Sequence, residues 1–69
     1  MEKINPANLT IKRIGQKSSV FVDGSGVEYN ATPRVANDVL QRKCEVYVED
    51  VEFRGAPIGK WLMTPTRFN

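Results

Sequence analysis

The stretch that decides the fold is Cys44 to Trp61, CEVYVEDVEFRGAPIGKW. It reads as a long strand, a glycine-containing turn and the start of a returning strand. Val46, Tyr47, Val48, Val51 and Phe53 are the β-branched and aromatic residues that suit a pleated surface, and acidic residues interleave with them. Parity adds a constraint. Cys44, Val46 and Val48 fall on even positions, whereas Val51 and Phe53 fall on odd ones, so the apolar face changes sides near Glu49 and Asp50. A straight strand with one wet face does not do this. A β-bulge does, and so does a bend that hands the strand from one sheet to another; the bend is the favoured reading.

Outward from that strand, Arg54 to Gly59 reads as a hairpin loop and Lys60 to Thr64, KWLMT, as the final strand, stopped by Pro65, which cannot donate to a ladder. On the amino-terminal side, Thr32 is a good N-cap and Pro33 is favoured at the first helical position, where a missing N–H costs nothing. Val35, Ala36, Val39 and Leu40 follow at the spacing of one helical face. Arg42 and Lys43 fall in the last turn, where positive charge suits the helix dipole, with Asp38 four residues before Arg42. At about ten residues this helix needs a sheet to dock on. Before it, Ser19–Asp23 and Val27–Ala31 form two strands joined through Asp23-Gly24-Ser25-Gly26, a hairpin signal in which two glycines supply positive φ and Asp23 bonds its own turn. Leu9–Ile14 is a further strand; Ile14 is out of step with Leu9 and Ile11, which predicts an irregularity near Lys12 and Arg13. Residues 1–8 read as an irregular arm and 65–69 as a tail that Phe68 helps to pin.

The expected fold is therefore one α+β, β-rich domain over residues 1–69: about five antiparallel strands in a bent sheet or partly open barrel, with one short helix between the third and fourth strands. The count of short strands and the bent central strand give a generic likeness to small SH3-like barrels, which no diagnostic motif accompanies.

Composition bounds the chemistry. Of 69 residues, 41% are hydrophobic and 26% charged, as in a folded chain. A chain this short buries only about 60% of the surface it exposes when unfolded, so its stability margin is thin. There is one cysteine and no histidine, which excludes an internal disulfide and removes the usual zinc ligands. No cofactor or metal is expected. No apolar run has the length of a signal peptide or a membrane helix, and a cytoplasmic protein is expected. Net charge is +2, unevenly spread: +3 over residues 1–22, 0 over 23–43, −4 over 44–53 and +3 over 54–69. Lateral pairing then sets the acidic strand against basic neighbours.

No catalytic constellation emerges. Glu45, Glu49, Asp50 and Glu52 alternate along a strand and read as its wet face rather than as an acid–base pair or cation site. Cys44 has no histidine to activate it and stands in phase with Val46 and Val48, as a buried cysteine does. The Gly24–Gly26 segment lacks the Gly-Lys-Ser/Thr ending of a phosphate loop. What remains is a basic and aromatic set: Phe53, Arg54, Lys60 and Trp61, with Lys12, Arg13 and Lys17. Such residues stack bases and touch phosphates, and they also anchor protein interfaces. The favoured reading, in so small a chain, puts Phe53 and Trp61 in the core and leaves the charges solvated.

The leading expectation is a non-enzymatic protein-binding module, an adaptor, inhibitor or assembly subunit of the kind small viral and mobile-element genes encode, partnered by another protein or by itself. The alternative is a nucleic-acid-binding β module using the basic and aromatic set. Self-association through a Lys60–Thr64 edge is a third route.

Overall fold

The computed structural model describes residues 2–41 and 45–65. Six strands and one helix follow in order: β1 (Glu2–Ile4), β2 (Thr10–Arg13), β3 (Ser19–Val22), β4 (Glu28–Ala31), α1 (Pro33–Gln41), β5 (Val46–Phe53) and β6 (Ala56–Met63), with a single 3₁₀ turn at Pro6–Asn8 between β1 and β2. They form one mixed sheet in the order β1-β5-β6-β4-β3-β2. Two antiparallel units compose it, the meander β2-β3-β4 and the set β1-β5-β6, and they meet through one parallel pairing, Asn30 of β4 with Trp61 of β6. The class is α+β and β-rich, as expected.

Sheet curvature shows in the core. Ile4 on one edge strand and Ile11 on the other both pack against the same buried cluster, so the sheet curls toward a partly open barrel. Phe21 from β3, Ala31 from β4, Val46 from β5 and Leu62 from β6 line its concave side, and α1 lays Val35, Ala36 and Val39 on them. Burying each such valine contributes about 1.5 to 3 kcal/mol, enough to hold a nine-residue helix that water alone would melt. Thr32 caps α1 as expected: its Oγ1 accepts from Val35 N at 3.4 Å, and its carbonyl accepts from Ala36 N at 2.8 Å. Leu40 turns outward, one residue too far round the helix to reach the sheet. Arg34 and Asp38 pair at 3.1 Å, and Thr64 donates to Asp38 Oδ2 at 3.0 Å, tying the helix to the end of β6.

The Asp23 turn is built as its residues predict. Asp23 Oδ1 accepts from Ser25 N at 2.9 Å and from Val27 N at 3.0 Å, while Tyr29 donates its O–H to Asp23 Oδ2 at 2.8 Å. Only Gly26, at φ 86°, takes a positive φ; Gly24 does not. These bonds shift both partners. Tyr29's hydroxyl, followed by the Val27 N–H, holds the Asp23 carboxyl below its ordinary value, and burial with the Asp23 carboxylate pushes Tyr29 up to about 12 from 10.0. A raised tyrosine contributes stability that is whole below pH 10 and is lost as pH climbs toward about 12. Asp23 works at the other end, its share present above the ordinary carboxylate range and lost on acidification through its lowered value. The melting temperature is therefore expected to fall between pH 10 and 12, with phenolate absorbance rising later than in a free tyrosine; a phenolate signal complete by pH 10.5 counts against this bond.

Several expectations are corrected. The amino-terminal arm holds a sixth strand: Glu2, Lys3 and Ile4 pair with Val48, Tyr47 and Val46 of β5. The helix accordingly follows the fourth strand, and not all pairings are antiparallel. Beyond Asp50 the more buried position of β5 does move to odd parity, at Val51 between exposed Asp50 and Glu52, but the core itself is not carried over. Val46 and Val48 enter the core, but Val51 is only half-buried and Phe53 is 61% exposed, because β5 runs past the end of the core. The irregularity lies two residues further on and in the partner strand: Val51 opposes Gly59 and Glu52 opposes Pro57, leaving Ile58 as the extra residue of a bulge. The irregularity expected near Lys12 is present, as a register shift between Ile11 and Arg13. Lys60–Thr64 is no edge, since Trp61 has Glu49 on one side and Asn30 on the other. The readings of Arg42, Lys43, Cys44 and Phe68 lie outside the described residues. Among those described, no helix is long and apolar enough to cross a membrane.

Opposite charges do meet laterally. Lys3 bonds Glu45 at 2.8 Å on one flank of β5, and Lys60 bonds Asp50 at 3.0 Å on the other. Both pairs are exposed, so they select register more than they add stability. Glu45 also accepts from the Tyr47 hydroxyl, and this contact raises Tyr47 while Lys3 and Tyr47 together lower Glu45.

Candidate functional site

Strand direction settles which candidate residues share a surface. β2, β4 and β6 run the same way, so the β6 start and the β3-β4 turn lie at one end of the sheet, and the β2 end lies at the other. Phe53 and Arg54 are at the first end; Arg13 and Lys17 are at the second. The sequence-derived set is thus divided between two ends of the molecule and does not form one patch.

Its middle members are also apart. Registers place Glu49, Trp61, Asn30, Val20 and Arg13 in one row across five strands. Leu62, the neighbour of Trp61, is in the core, so by the alternation of a strand this row lies on the convex side of the sheet. Trp61 is therefore not a core residue, nor is it fully displayed. It is half-buried, and its Nε1 is enclosed without a hydrogen-bond acceptor among the described residues. Lys60 points to the opposite side and is engaged by Asp50. Lys12 reaches across β3 to Glu28 at 2.7 Å, beside buried Val20.

The feature that sequence reasoning missed is the shape of β5-β6 beyond the core. The expected loop over 54–59 is only a two-residue turn, with Arg54 at φ 54° and Gly55 at φ 78°, both positive as the twist of a tight hairpin requires. Strand β6 therefore begins at Ala56 and carries Pro57 and Ile58. β4 starts only at Glu28, which lies alongside Gly59 by extension of the Asn30–Trp61 register, and β1 covers β5 only as far as Val48. Residues 52–58 consequently project as a two-stranded tip with no strand on either side, carried on a stem, 49–51 with 59–61, that β4 flanks along β6 only. Pro57 is tolerated because its position needs no second ladder.

Chemically the arm is apolar at its tip and acidic along its stem. Phe53 is 61% exposed and Ile58 47%, with Ala56 and Pro57 also exposed beside them. Arg54 lies over the Phe53 ring at 5.3 Å from its centroid, so the tip also carries a cation. Glu49, Asp50 and Glu52 face outward along the arm.

Other concavities offer less. A cleft of about 460 Å³ between β1 and the Asp23 turn is lined by Glu2, Ile4, Asn8 and Tyr29, but Asp23 in its wall is already bonded to the turn and to Tyr29. Among the described residues no group of three or more histidine, cysteine, aspartate or glutamate side chains is placed to hold a metal. Comparison of the chain with protein-family models, with curated proteins and with solved structures finds no match.

Proposed function

We infer that this protein is a binding module for other proteins, without catalytic activity of its own, and that the β5-β6 arm is the element that enters the partner. One observation carries the reading: a chain with a small core leaves Phe53 and Ile58 exposed at the tip of a projecting hairpin, held out by a tight turn and a bulge. Aromatic and aliphatic anchors surrounded by polar residues are what the centre of a protein interface contains. The charged groups with shifted titration, Asp23 and Glu45 among them, are accounted for by hydrogen bonds that hold turns and strands together, so no shift among the described residues points to acid–base work. An adaptor or assembly subunit needs no more than such an arm.

The nucleic-acid reading draws less support. A two-stranded ribbon fits a DNA major groove, but this one carries three carboxylates, and Lys12 and Lys60 are already paired. A photo-crosslinking side chain at position 53, with a second at position 12 as control, tests the choice inside cells. Discrete protein adducts from position 53 alone are expected. Nucleic-acid adducts, together with an oligonucleotide affinity that falls steeply with salt, overturn it in favour of the alternative.

A further inference from the structure

The end of the sheet opposite the arm supplies a surface of matching character to receive it. The loop after β2 exposes Ile14 by 76%, the highest exposure among the large hydrophobic residues described, flanked by exposed Arg13 and Lys17. Neither cation makes an ion pair among the described residues. Gly15 sets the turn of this loop, since a Cβ there would lie 2.3 Å from the Ser18 carbonyl oxygen. One end of the molecule therefore presents an apolar knob in a basic setting. The other presents an apolar tip on an arm that carries Glu49 and Glu52, neither of them in an ion pair among the described residues.

We propose that the arm of one copy docks on the Ile14 loop of a second copy, so that the chain assembles head to tail. This rests on the arm being a protein-binding element, and it names the partner. The two surfaces sit at opposite ends of the sheet, so one molecule cannot satisfy both by itself. Two arms do not pair with each other, because Glu49 and Glu52 of both copies would then face like charges. A contact between two different surfaces repeats, giving a ring when its rotation closes and an open filament when it does not.

Sedimentation of the full chain across concentrations, at 0.05 M salt and again at about 0.5 M, reads this directly. The expected result is a mass that rises with concentration and an association weakened by about tenfold at the higher salt, as charge-steered contacts are. Phe53→Asp and Ile14→Asp, both at exposed positions and checked for unchanged melting, are each expected to be monomeric. Mixing them is decisive. Ile14→Asp keeps its arm and Phe53→Asp keeps its loop, so the mixture should form a dimer of one each and stop there. A wild-type chain that stays monomeric at all concentrations overturns the proposal, as does an Ile14→Asp variant that still assembles by itself. In either case protein crosslinks from position 53 to a different protein would leave the arm reading standing; their absence too would remove both.

Discussion

Phe21→Ala is expected to leave the protein largely unfolded at room temperature. Phe21 is 1% exposed, lies in the middle of β3 and is the bulkiest of the fully buried side chains. Removing a buried phenyl ring costs about 3 to 5 kcal/mol, the sum of lost transfer energy and a cavity that the surrounding sheet closes only in part. A domain of this length has about 3 to 10 kcal/mol in total. The loss is thus a large share of the whole, and with no disulfide to constrain the unfolded chain nothing offsets it. Chemical denaturation followed by far-ultraviolet circular dichroism measures it. A midpoint within error of the wild type would mean that the core lies elsewhere. Phe53→Ala is the matched control: the same chemical change at an exposed tip is expected to shift stability by less than about 0.5 kcal/mol.

Gly15→Ala is the second large effect, and it has a different origin. The new methyl would sit 2.3 Å from a backbone oxygen, an atom that moves only if the loop 14–18 is rebuilt. A cost of about 1 to 3 kcal/mol follows, as for other forced overpacking. Gly24→Ala supplies the contrast, since nothing lies within 4 Å of its added carbon and its φ is not positive. That variant is expected to be neutral or slightly stabilising through the unfolded chain. Equal effects at the two glycines would show that the loop after β2 is not held as described. Because Gly15→Ala also re-aims Ile14, it should weaken assembly beyond what its lost stability explains.

What could be read without coordinates was local. Thr32-Pro33 announced the helix, the Asp23 turn announced its hairpin, and the phase break at Ile14 announced the register shift in β2, because in each case the responsible atoms lie within a few residues of one another. The alternation of charge blocks foretold the Lys3–Glu45 and Lys60–Asp50 pairs, since β5 lies between β1 and β6. Features that depend on strand order were hidden. Glu2–Ile4 carries no strand signature, and it is ordered by an edge more than forty residues away. Phe53 looked like core because its composition fits core; only the extent of β1 and β4 shows that β5 outruns its neighbours. The basic and aromatic set dispersed for the same reason: residues close in sequence, such as Lys60 and Trp61, face opposite sides, and Lys17 and Arg54 stand at opposite ends.

The lone pairing of Asn30 with Trp61 has a kinetic consequence. Gly59, at φ 115°, leaves the Asn30 amide room that a side chain would crowd to 3.1 Å, and Asn30 Nδ2 reaches the Lys60 carbonyl at 3.4 Å, yet no other strand bonds cross this line. Residues 10–31 can fold back on themselves through short loops, and so can 46–63, whereas joining them waits for both. Docking across this seam is then the late step of folding, and in the native protein the seam is the first line to part. Hydrogen exchange should find the amides on either side of it opening together, well before those inside either hairpin.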